Sequence, residues 1–223
     1  MKKLSNLEFK KKFDSVANTY EKISNSYTIT RRSESFKIDS TDLILETGSG
    51  TGVVSELIDK SIICTDISYE MCKQSVRNKR ENVICCDAEK LPIRSNILDG
   101  VLSTEMIYYL DNPQDFLSDS HNALKKNSKL MITVFNQDMK LADRIRSFFR
   151  IFDKNQYFDD GQRDFISIDH LKQILVQNNF KITSIRKKVI FPFGSLHKLN
   201  LYLEKGGFNY FCYFIIIEAE CIK

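Results

Sequence analysis

Three closely spaced glycines after an apolar run are the strongest chemical signal in this sequence. In LILETGSGTG, residues 43–52, the run reaches Glu46 and continues through Gly48, Gly50 and Gly52 into a helical pattern. A chain that turns sharply from strand to helix needs residues without Cβ, and the N–H groups at a helix start favour negatively charged groups. The motif predicts a ligand site, although an ordinary tight turn uses the same residues.

The glycine spacing separates the kinds of ligand that such turns bind. Nicotinamide, flavin and adenosylmethionine sites all use a glycine-rich turn between strand and helix. A dinucleotide fingerprint reads GxGxxG, whereas this stretch reads GSGTG and lacks the GK[ST] ending of a phosphate-binding loop. The spacing therefore weakens the interpretation as a nicotinamide oxidoreductase without excluding it.

An acidic residue ends the next apolar run, at a spacing typical of residues that bind a ribose. Asp66 closes the run in IICTDIS, twenty residues after Glu46. A carboxylate at this place can accept hydrogen bonds from both hydroxyls of a ribose. The alternative is a helix cap, because either Asp66 or Ser68 is suited to cap a helix that begins near Tyr69. Both roles are compatible.

The elements that must position these residues alternate along the chain. From Asp42 onward, short apolar runs alternate with helical patterns, which is typical of βαβ units in a parallel sheet. The predicted strands are Leu43–Glu46, Ile62–Thr65, Asn82–Cys85, Leu98–Ser103 and Leu130–Phe135. The predicted helices are Val53–Asp59, Tyr69–Arg77, Pro113–Lys125 and Ser167–Asn178. Ligands of doubly wound sheets bind outside the carboxyl ends of the strands, so we expect the glycines and Asp66 at one edge.

The C-terminal part of the sequence predicts a mixed end to the sheet. Two further runs, Lys181–Ile190 and Asn209–Glu220, are expected to form an antiparallel edge hairpin, with the strongly apolar second run in a central position. The predicted fold class is a Rossmann-like, doubly wound, mostly parallel seven-stranded α/β sheet. We expect one domain with four parts: a helical N-terminal cap (1–41), a cofactor-binding core (42–136), an aromatic-rich acceptor lid (137–166) and the C-terminal helix and hairpin (167–223).

Several local motifs together carry a family resemblance. The stretch from Asp42 to Asn136 resembles the core of class I adenosylmethionine-dependent methyltransferases, in particular the type that acts on quinone precursors and malonyl thioesters. The matching residues are Asp87-Ala88 with Leu91-Pro92 after the third strand, Asp99, Val101 and Ser103 in the fourth, Glu105 to Leu110 beyond it, and Leu124-Lys125. Two departures are Glu46, where the family more often has Asp, and Asn127-Ser128, which replace a glycine turn in a surface loop.

The resemblance implies a cofactor, S-adenosylmethionine, and a role for each matching residue. It implies that Glu46 orients the amino end of the cofactor, Gly48 and Gly50 admit its methionine part, and Asp66 binds the ribose. The remaining implied contacts are Ile67 and Met71 on the faces of the adenine, Asp87 and Ala88 at its edge, and Ser103 in the fourth strand.

The N-terminal segment adds one more implied contact. FDSVANTYEKISNSYT is similar to the opening helix of the quinone and malonyl-thioester enzymes, in which a tyrosine reaches over the cofactor. Tyr20 is the matching position. An aromatic residue at helical spacing from Phe13, Val16 and Ala17 is equally suited to simple core packing.

The residues that could assist methyl transfer are less defined. A general base is needed only if the acceptor must lose a proton, and it must lie within hydrogen-bond reach of that proton. The candidates are Glu105, Tyr108 and His197, although the tyrosine is equally suited to a pocket wall and the histidine to a solvated loop. The fourth strand continues as STEM rather than an NPPY-like tetrad, which favours a small-molecule acceptor over nucleic-acid bases.

Composition limits the remaining possibilities. A net charge of +4 in 223 residues gives little reason to expect nucleic-acid binding. The six cysteines lack metal-ligand spacing and are expected to be buried thiols, so no metal site is predicted. Met1 to Lys12 lacks the apolar core of a signal peptide, and no membrane span is predicted, which favours a cytoplasmic protein. The alternative to an enzyme is a non-catalytic adenosylmethionine- or nucleotide-binding subunit, and the sequence leaves the oligomeric state open.

Overall fold

Seven strands and eight α-helices form the part of the chain that the computed structural model describes, namely residues 5–24, 26–34, 36, 42–58, 62–136, 166–188, 194–205, 212 and 214–223. The helices are α1 (Asn6–Val16), α2 (Tyr20–Ile23), α3 (Ser26–Ser33), α4 (Val53–Ile58), α5 (Tyr69–Arg77), α6 (Pro113–Ala123), α7 (Ile168–Gln177) and α8 (His197–Lys205). The strands are β1 (Ile44–Thr47), β2 (Ile63–Asp66), β3 (Val83–Cys85), β4 (Leu98–Thr104), β5 (Leu124–Phe135), β6 (Phe180–Lys188) and β7 (Phe214–Cys221).

The strands form one mixed sheet in the order β3-β2-β1-β4-β5-β7-β6. The first five in this order are parallel, and β7 is antiparallel to both of its neighbours. Leu45, Val101, Leu130 and Ile215 are almost completely buried because helices cover both faces of the sheet. The predicted fold class is confirmed, and the first four predicted strands agree with the observed ones to within one residue at each end.

The boundary between α6 and β5 differs from the prediction. The helix was expected to reach Lys125 and the strand to begin at Leu130, but the helix ends at Ala123 and Leu124 already pairs with Leu98. Leu124 is fully buried, which favours its place in the sheet over a further helical turn. Asn127 adopts φ +64°, so it supplies the left-handed conformation that a glycine would otherwise provide.

The predicted antiparallel pair of C-terminal strands is confirmed, but the segment that connects them differs from the prediction. β6 and β7 are antiparallel neighbours, with the apolar β7 inside the sheet and β6 at the edge. The chain between them is not a tight hairpin turn, because it contains α8. His197 is therefore the first residue of a helix rather than a loop residue.

Helices α1 to α3 precede the sheet in the chain, and α1 packs against α5. α1 begins with a capping box, in which the Ser5 side chain accepts from the Glu8 N–H and the Glu8 carboxylate accepts from the Ser5 N–H. α3 packs against α4, and its Tyr27 hydroxyl accepts a hydrogen bond from Asn200 of α8 at 2.9 Å.

Three observations concern the predictions on the lid, the membrane and the thiols. Apart from Ile166, the predicted lid (137–166) lies outside the described residues. Among the helices that the structure describes, none is long and apolar enough to cross a bilayer. All six cysteines are free. Four are buried as expected, Cys86 is only half-buried, and the expectation is wrong for Cys85, which is exposed on β3.

Candidate functional site

A cavity of about 210 Å³ lies where the carboxyl ends of β1, β2 and β4 meet helices α1 to α3. Its location agrees with the position expected for a ligand of a doubly wound sheet. Nine of the predicted site residues line this cavity: Tyr20, Gly48, Gly50, Asp66, Ile67, Met71, Asp87, Ala88 and Glu105. Four others are absent from its lining: Glu46, Ser103, Tyr108 and His197.

The loop after β1 requires its glycines for two separate reasons. Gly48 and Gly52 have φ values of +65° and +79°, a region that residues with a Cβ rarely adopt. Space is short as well, since a Cβ on Gly48 would lie 2.4 Å from Met106 Cγ. A Cβ on Gly52 would lie 2.6 Å from Ser75 Oγ and 2.8 Å from Arg80 Cγ. The loop backbone therefore fits closely between the sheet and α5.

Asp66 connects this loop to the start of α5. Its carboxylate accepts the Gly50 N–H at 2.9 Å and the Ser68 N–H at 2.8 Å. Ser68 itself is the helix cap, since its hydroxyl accepts the Met71 N–H at 3.1 Å. Burial raises the pKa of Asp66 to about 6, while the N–H groups of Ser68 and Gly50 act in the opposite direction. The carboxylate lines the cavity and keeps acceptor capacity for a ligand.

Glu46 lies beneath the cavity floor rather than in its wall. The side chain is fully buried and accepts hydrogen bonds from Thr104 Oγ1 at 2.8 Å and from the Ser55 hydroxyl. Burial raises the pKa of Glu46, and the two hydroxyl donors partly offset this effect. Thr104 lines the cavity, so its hydroxyl is the link between the Glu46 carboxylate and the cavity wall.

Helix α1 is attached to the cavity by two polar residues that sequence reasoning missed. Asn6 Nδ2 donates to both carboxylate oxygens of Asp87 at 3.2 Å, and Asn6 itself lines the cavity. Asp14 accepts from the Ser68 hydroxyl at 2.5 Å and from the Glu70 N–H at 3.2 Å. The sequence shows the helix start but contains no signal for the element on which α1 docks.

An aromatic cluster covers the cavity on the side of α1 and α2. The ring of Tyr109 lies 4.8 Å from that of Phe9 and 5.3 Å from that of Phe13, both edge to face. Phe13 also contacts Tyr20, with centroids 6.4 Å apart. Tyr20 lies opposite Gly50, since a Cβ built on that glycine would be 3.9 Å from Tyr20 Cε1. Tyr20 therefore takes part in aromatic packing and in the cavity lining, the two roles that the sequence left open.

An ion pair occupies the other side of the cavity. Arg32 Nη1 of α3 lies 2.9 Å from Glu105 Oε1, which follows β4, and both residues line the cavity. Glu105 adopts φ +55°, and its N–H donates to the Thr133 carbonyl at 3.0 Å. Sequence reasoning named Glu105 and missed Arg32, because no local pattern connects residues 73 positions apart.

The remaining candidates lie away from the cavity. Tyr108 is buried and packs against the rings of Tyr109 and Phe135, with centroids 4.8 and 6.1 Å apart. His197 Nδ1 lies 3.3 Å from the Tyr27 hydroxyl, and neither residue is in the lining. Ser103 is fully buried in the centre of the sheet, paired with Thr47 of β1.

The central part of the chain is similar in sequence to known methyltransferases. Residues 45–132 match the family model described as a methyltransferase domain. A malonyl-[acyl-carrier protein] O-methyltransferase of Marinomonas sp. is 24% identical over 140 residues, covering 57% of this chain and 51% of the relative. The ubiquinone/menaquinone biosynthesis C-methyltransferase of Wigglesworthia glossinidia brevipalpis is 32% identical over 109 residues, covering 43% of this chain and 44% of the relative. The chain thus matches about half of the length of these relatives.

A solved structure extends the similarity of fold to almost the whole chain. An adenosylmethionine-dependent methyltransferase of Thermotoga maritima superposes with a TM-score of 0.69 and 18% sequence identity. The superposition covers 95% of this chain and 99% of that one. The family model over residues 45–132 thus confirms the resemblance to methyltransferases that the sequence indicates, and the superposition shows that the fold is shared over almost the whole chain.

Proposed function

We propose that this protein binds S-adenosylmethionine in the cavity at the carboxyl ends of β1 and β2 and transfers the methyl group to a small-molecule acceptor. The observation that carries the proposal is the position of Asp66. Its carboxylate holds Gly50 of the glycine loop and lies in the same cavity wall as Asp87 and Ala88. Three consecutive strand ends thus contribute to one ligand site.

The residues present fit the chemistry of this cofactor. Asp66 offers carboxylate oxygens to the ribose, and Ile67 and Met71 offer apolar surface to the adenine. On the loop, Thr51 Oγ1 is buried without a hydrogen-bond partner among the described residues, which suits a polar group of the methionine part. Asp66, Asp87 and Glu105 line the cavity together with a single cation among the described residues, Arg32, and this balance favours a ligand that carries positive charge.

The contribution of the protein to the reaction is mainly alignment. When bound, the cofactor supplies a methyl group already activated by the sulfonium charge. The loop of Gly48 and Gly50 fixes the position of the cofactor, while Tyr20, Tyr109 and Phe135 enclose it and exclude water. We propose residues 1–41 as a cap and 137–166 as an acceptor lid of this one-domain enzyme, and we assign it to the cytoplasm.

Calorimetry and turnover test the proposal together. We expect S-adenosylmethionine and S-adenosylhomocysteine to bind the wild-type chain and NAD not to bind. Exclusive binding of NAD, or no binding of the first two, would overturn the proposal. Release of adenosylhomocysteine in the presence of an acceptor distinguishes an enzyme from the alternative, a non-catalytic binding subunit. Asp99→Ala is the matched control for cavity aspartates, since Asp99 pairs with Lys125 outside the cavity lining.

A further inference from the structure

The ion pair between Arg32 and Glu105 is the feature of the cavity that the proposed cofactor contacts leave unexplained. The two charged groups lie 2.9 Å apart, and their side chains are only 11% and 17% exposed. Removing two charges from water usually costs as much stability as their attraction returns. Such a pair in a cavity wall is therefore better explained by a ligand than by folding.

The backbone of Glu105 is held in a costly conformation that directs its side chain to this place. A φ of +55° is unfavourable for a residue with a Cβ, and strain of this kind persists where the surrounding structure imposes it. The Glu105 N–H donates to the Thr133 carbonyl at 3.0 Å, which fixes the turn after β4. Because Thr47 pairs with Ser103, the end of β4 lies next to Gly48, where the methionine part of the cofactor is proposed to bind.

The surroundings of the pair are mostly apolar. Ile29 of α3, Tyr109 and Phe135 line the same cavity as Arg32 and Glu105. An acceptor with an apolar or aromatic body fits these walls, and its reacting group would then meet the Glu105 carboxylate at the end of β4.

We propose that Glu105 accepts the hydrogen of a hydroxyl group on the methyl acceptor, with Arg32 as its positioning residue, so that this protein methylates the oxygen of an apolar alcohol or phenol. The inference rests on the proposed function. The hydroxyl oxygen forms a bond to the methyl carbon, and the bond from that carbon to the sulfonium sulfur breaks. Its electron pair stays on sulfur as the thioether of adenosylhomocysteine. The hydroxyl proton moves to Glu105, from which it passes to water.

The chemistry of a carboxylate favours a hydroxyl over the other nucleophiles. As the methyl group transfers, the oxygen becomes a protonated ether, which is a much stronger acid than a carboxylic acid. Proton transfer to Glu105 is therefore downhill. A methylated alkylamine is a weaker acid than a carboxylic acid and keeps its proton, so Glu105 would not assist its formation. A carboxylate acceptor has no proton to give and is repelled by the charge of Glu105.

Arg32 is suited to orient the carboxylate without taking the proton. Its Nε donates to the Thr28 carbonyl at 3.3 Å, so the guanidinium is attached to its own helix. The preceding residue, Arg31, joins α3 to α8 through Glu204 at 2.9 Å. The position of Arg32 is thus set by the docking of α3.

A matched set of probes tests the proposal. The probes are 4-pentylphenol, 4-pentylbenzyl alcohol, 4-pentylbenzylamine and 4-pentylbenzoate, which share one apolar body and differ in the reacting group. Adenosylhomocysteine release is measured for each at saturating S-adenosylmethionine, and NMR of the product shows whether the methyl group is on oxygen. We expect turnover of at least one hydroxyl compound, with an O-methyl product, and none of the amine or the benzoate.

Three substitutions test the residue assignments. Glu105→Gln keeps the shape of the side chain and should lower kcat for the hydroxyl probe by about 100-fold. Adenosylhomocysteine affinity should not change. Arg32→Lys should retain more activity than Arg32→Met at equal thermal stability, which a merely structural arginine would not show. Glu218→Gln is the matched control, because Glu218 pairs with Arg186 at the β6–β7 edge, outside the cavity lining, and full activity is expected.

The outcomes separate this inference from the proposed function. If S-adenosylmethionine does not bind the wild-type chain, the proposed function fails first. If it binds and no hydroxyl probe is methylated, or the methyl group is found on nitrogen, carbon or a carboxylate, the inference fails and the proposed function stands. A loss of adenosylhomocysteine affinity in Glu105→Gln would also overturn it, because Glu105 would then belong to the cofactor site.

Discussion

The two ends of the cavity are assembled in different ways. At the proposed cofactor end, Gly48, Gly50, Asp66 and Asp87 lie at or just beyond the carboxyl ends of three consecutive strands, which place them. At the acceptor end, Arg32 of α3 meets a residue 73 positions later in the chain. The first end is a consequence of parallel strand order, whereas the second depends on how separate helices dock. We infer that the cofactor end is the fixed part of this fold and the acceptor end the adjustable part.

Removing one carboxylate from each end gives the largest expected contrast. Asp66→Ala deletes the acceptor of the Gly50 N–H and of the proposed ribose hydroxyls. Two lost hydrogen bonds to a charged group correspond to about 3 kcal/mol, so S-adenosylmethionine affinity should fall by about 100-fold. Glu105→Ala should leave that affinity almost unchanged and lower kcat by at least about 100-fold. Equal losses of affinity in the two variants by calorimetry would contradict the division into two ends.

Two alanine substitutions in the glycine loop probe how tightly the cofactor end is built. Gly52→Ala brings a Cβ within 2.6 Å of Ser75 and imposes φ +79°, so the free energy of unfolding should fall by about 3 kcal/mol. Gly50→Ala has no atom nearer than 3.9 Å and should lose only about 1 kcal/mol, which is the cost of its positive φ. Urea denaturation measures both. A larger loss in Gly50→Ala would show that steric fit does not limit the loop.

The pH dependence of cofactor binding sharpens the role of Asp66. Its pKa, raised to about 6 by burial, means that the free protein holds a proton there at mildly acidic pH. The carboxylate form accepts the ribose hydroxyls, so S-adenosylmethionine affinity should fall by about tenfold for each pH unit below the pKa. Calorimetry across this range should show the fall in the wild type, and Asp66→Asn should remove it. A fall that persists in the asparagine variant would assign the titration to another group.

The same raised pKa predicts a trend in stability with a definite sign. The ordinary value is 3.8, so the folded protein holds more protons at Asp66 than the unfolded chain between that value and about 6. The stability of the wild type should therefore decrease relative to Asp66→Asn as the pH rises through this range. Thermal melts of the two proteins at several pH values measure this difference. Melting temperatures that change in parallel with pH would contradict the raised pKa.

Removing the ion pair between Asp99 and Lys125, which lies outside both ends of the cavity, should change stability least. Lys125 Nζ donates to Asp99 at 2.7 Å, and this hydrogen bond lowers the pKa of Asp99 below its ordinary value. The side chains are 48% and 27% exposed, so Asp99→Asn should cost at most about 1 kcal/mol. That contribution should be present above pH 3.8 and disappear as the pH falls through the lowered pKa. Unchanged S-adenosylmethionine affinity in this variant makes it a valid control.

The sequence predicts the end of the cavity that the strands build much better than the end that the helices build. The parallel strands and their order of appearance are local patterns, and β1 to β4 lie where the alternation of apolar runs places them. Seven of the nine predicted residues in the cavity lie at strand ends, which meet because the carboxyl ends of parallel strands share an edge, and the other two, Tyr20 and Met71, come from α2 and α5. The helix cap that the sequence anticipated before Tyr69 is Ser68, and Asp66 lines the cavity, where its contact with a ribose stays a prediction.

The predictions that failed concern side-chain direction and the docking of helices. Glu46 was expected to face the cofactor, but the strand period points its side chain beneath the floor, towards Ser55 and Thr104. Arg32 and Asn6 gave no signal, because the docking of a helix depends on contacts between distant segments. α8 was missed between the last two strands, and His197 was therefore taken for a loop residue.

Selective ¹⁵N-glycine labelling tests the central claim, that the glycine loop of this cavity holds S-adenosylmethionine, most directly. The chain has 8 glycines, so each amide signal can be assigned by substitution. On addition of S-adenosylhomocysteine, we expect the signals of Gly48, Gly50 and Gly52 to shift, and those of Gly100 within β4 and Gly194 before α8 to stay in place. Unmoved loop signals, or equal shifts produced by NAD, would contradict the account.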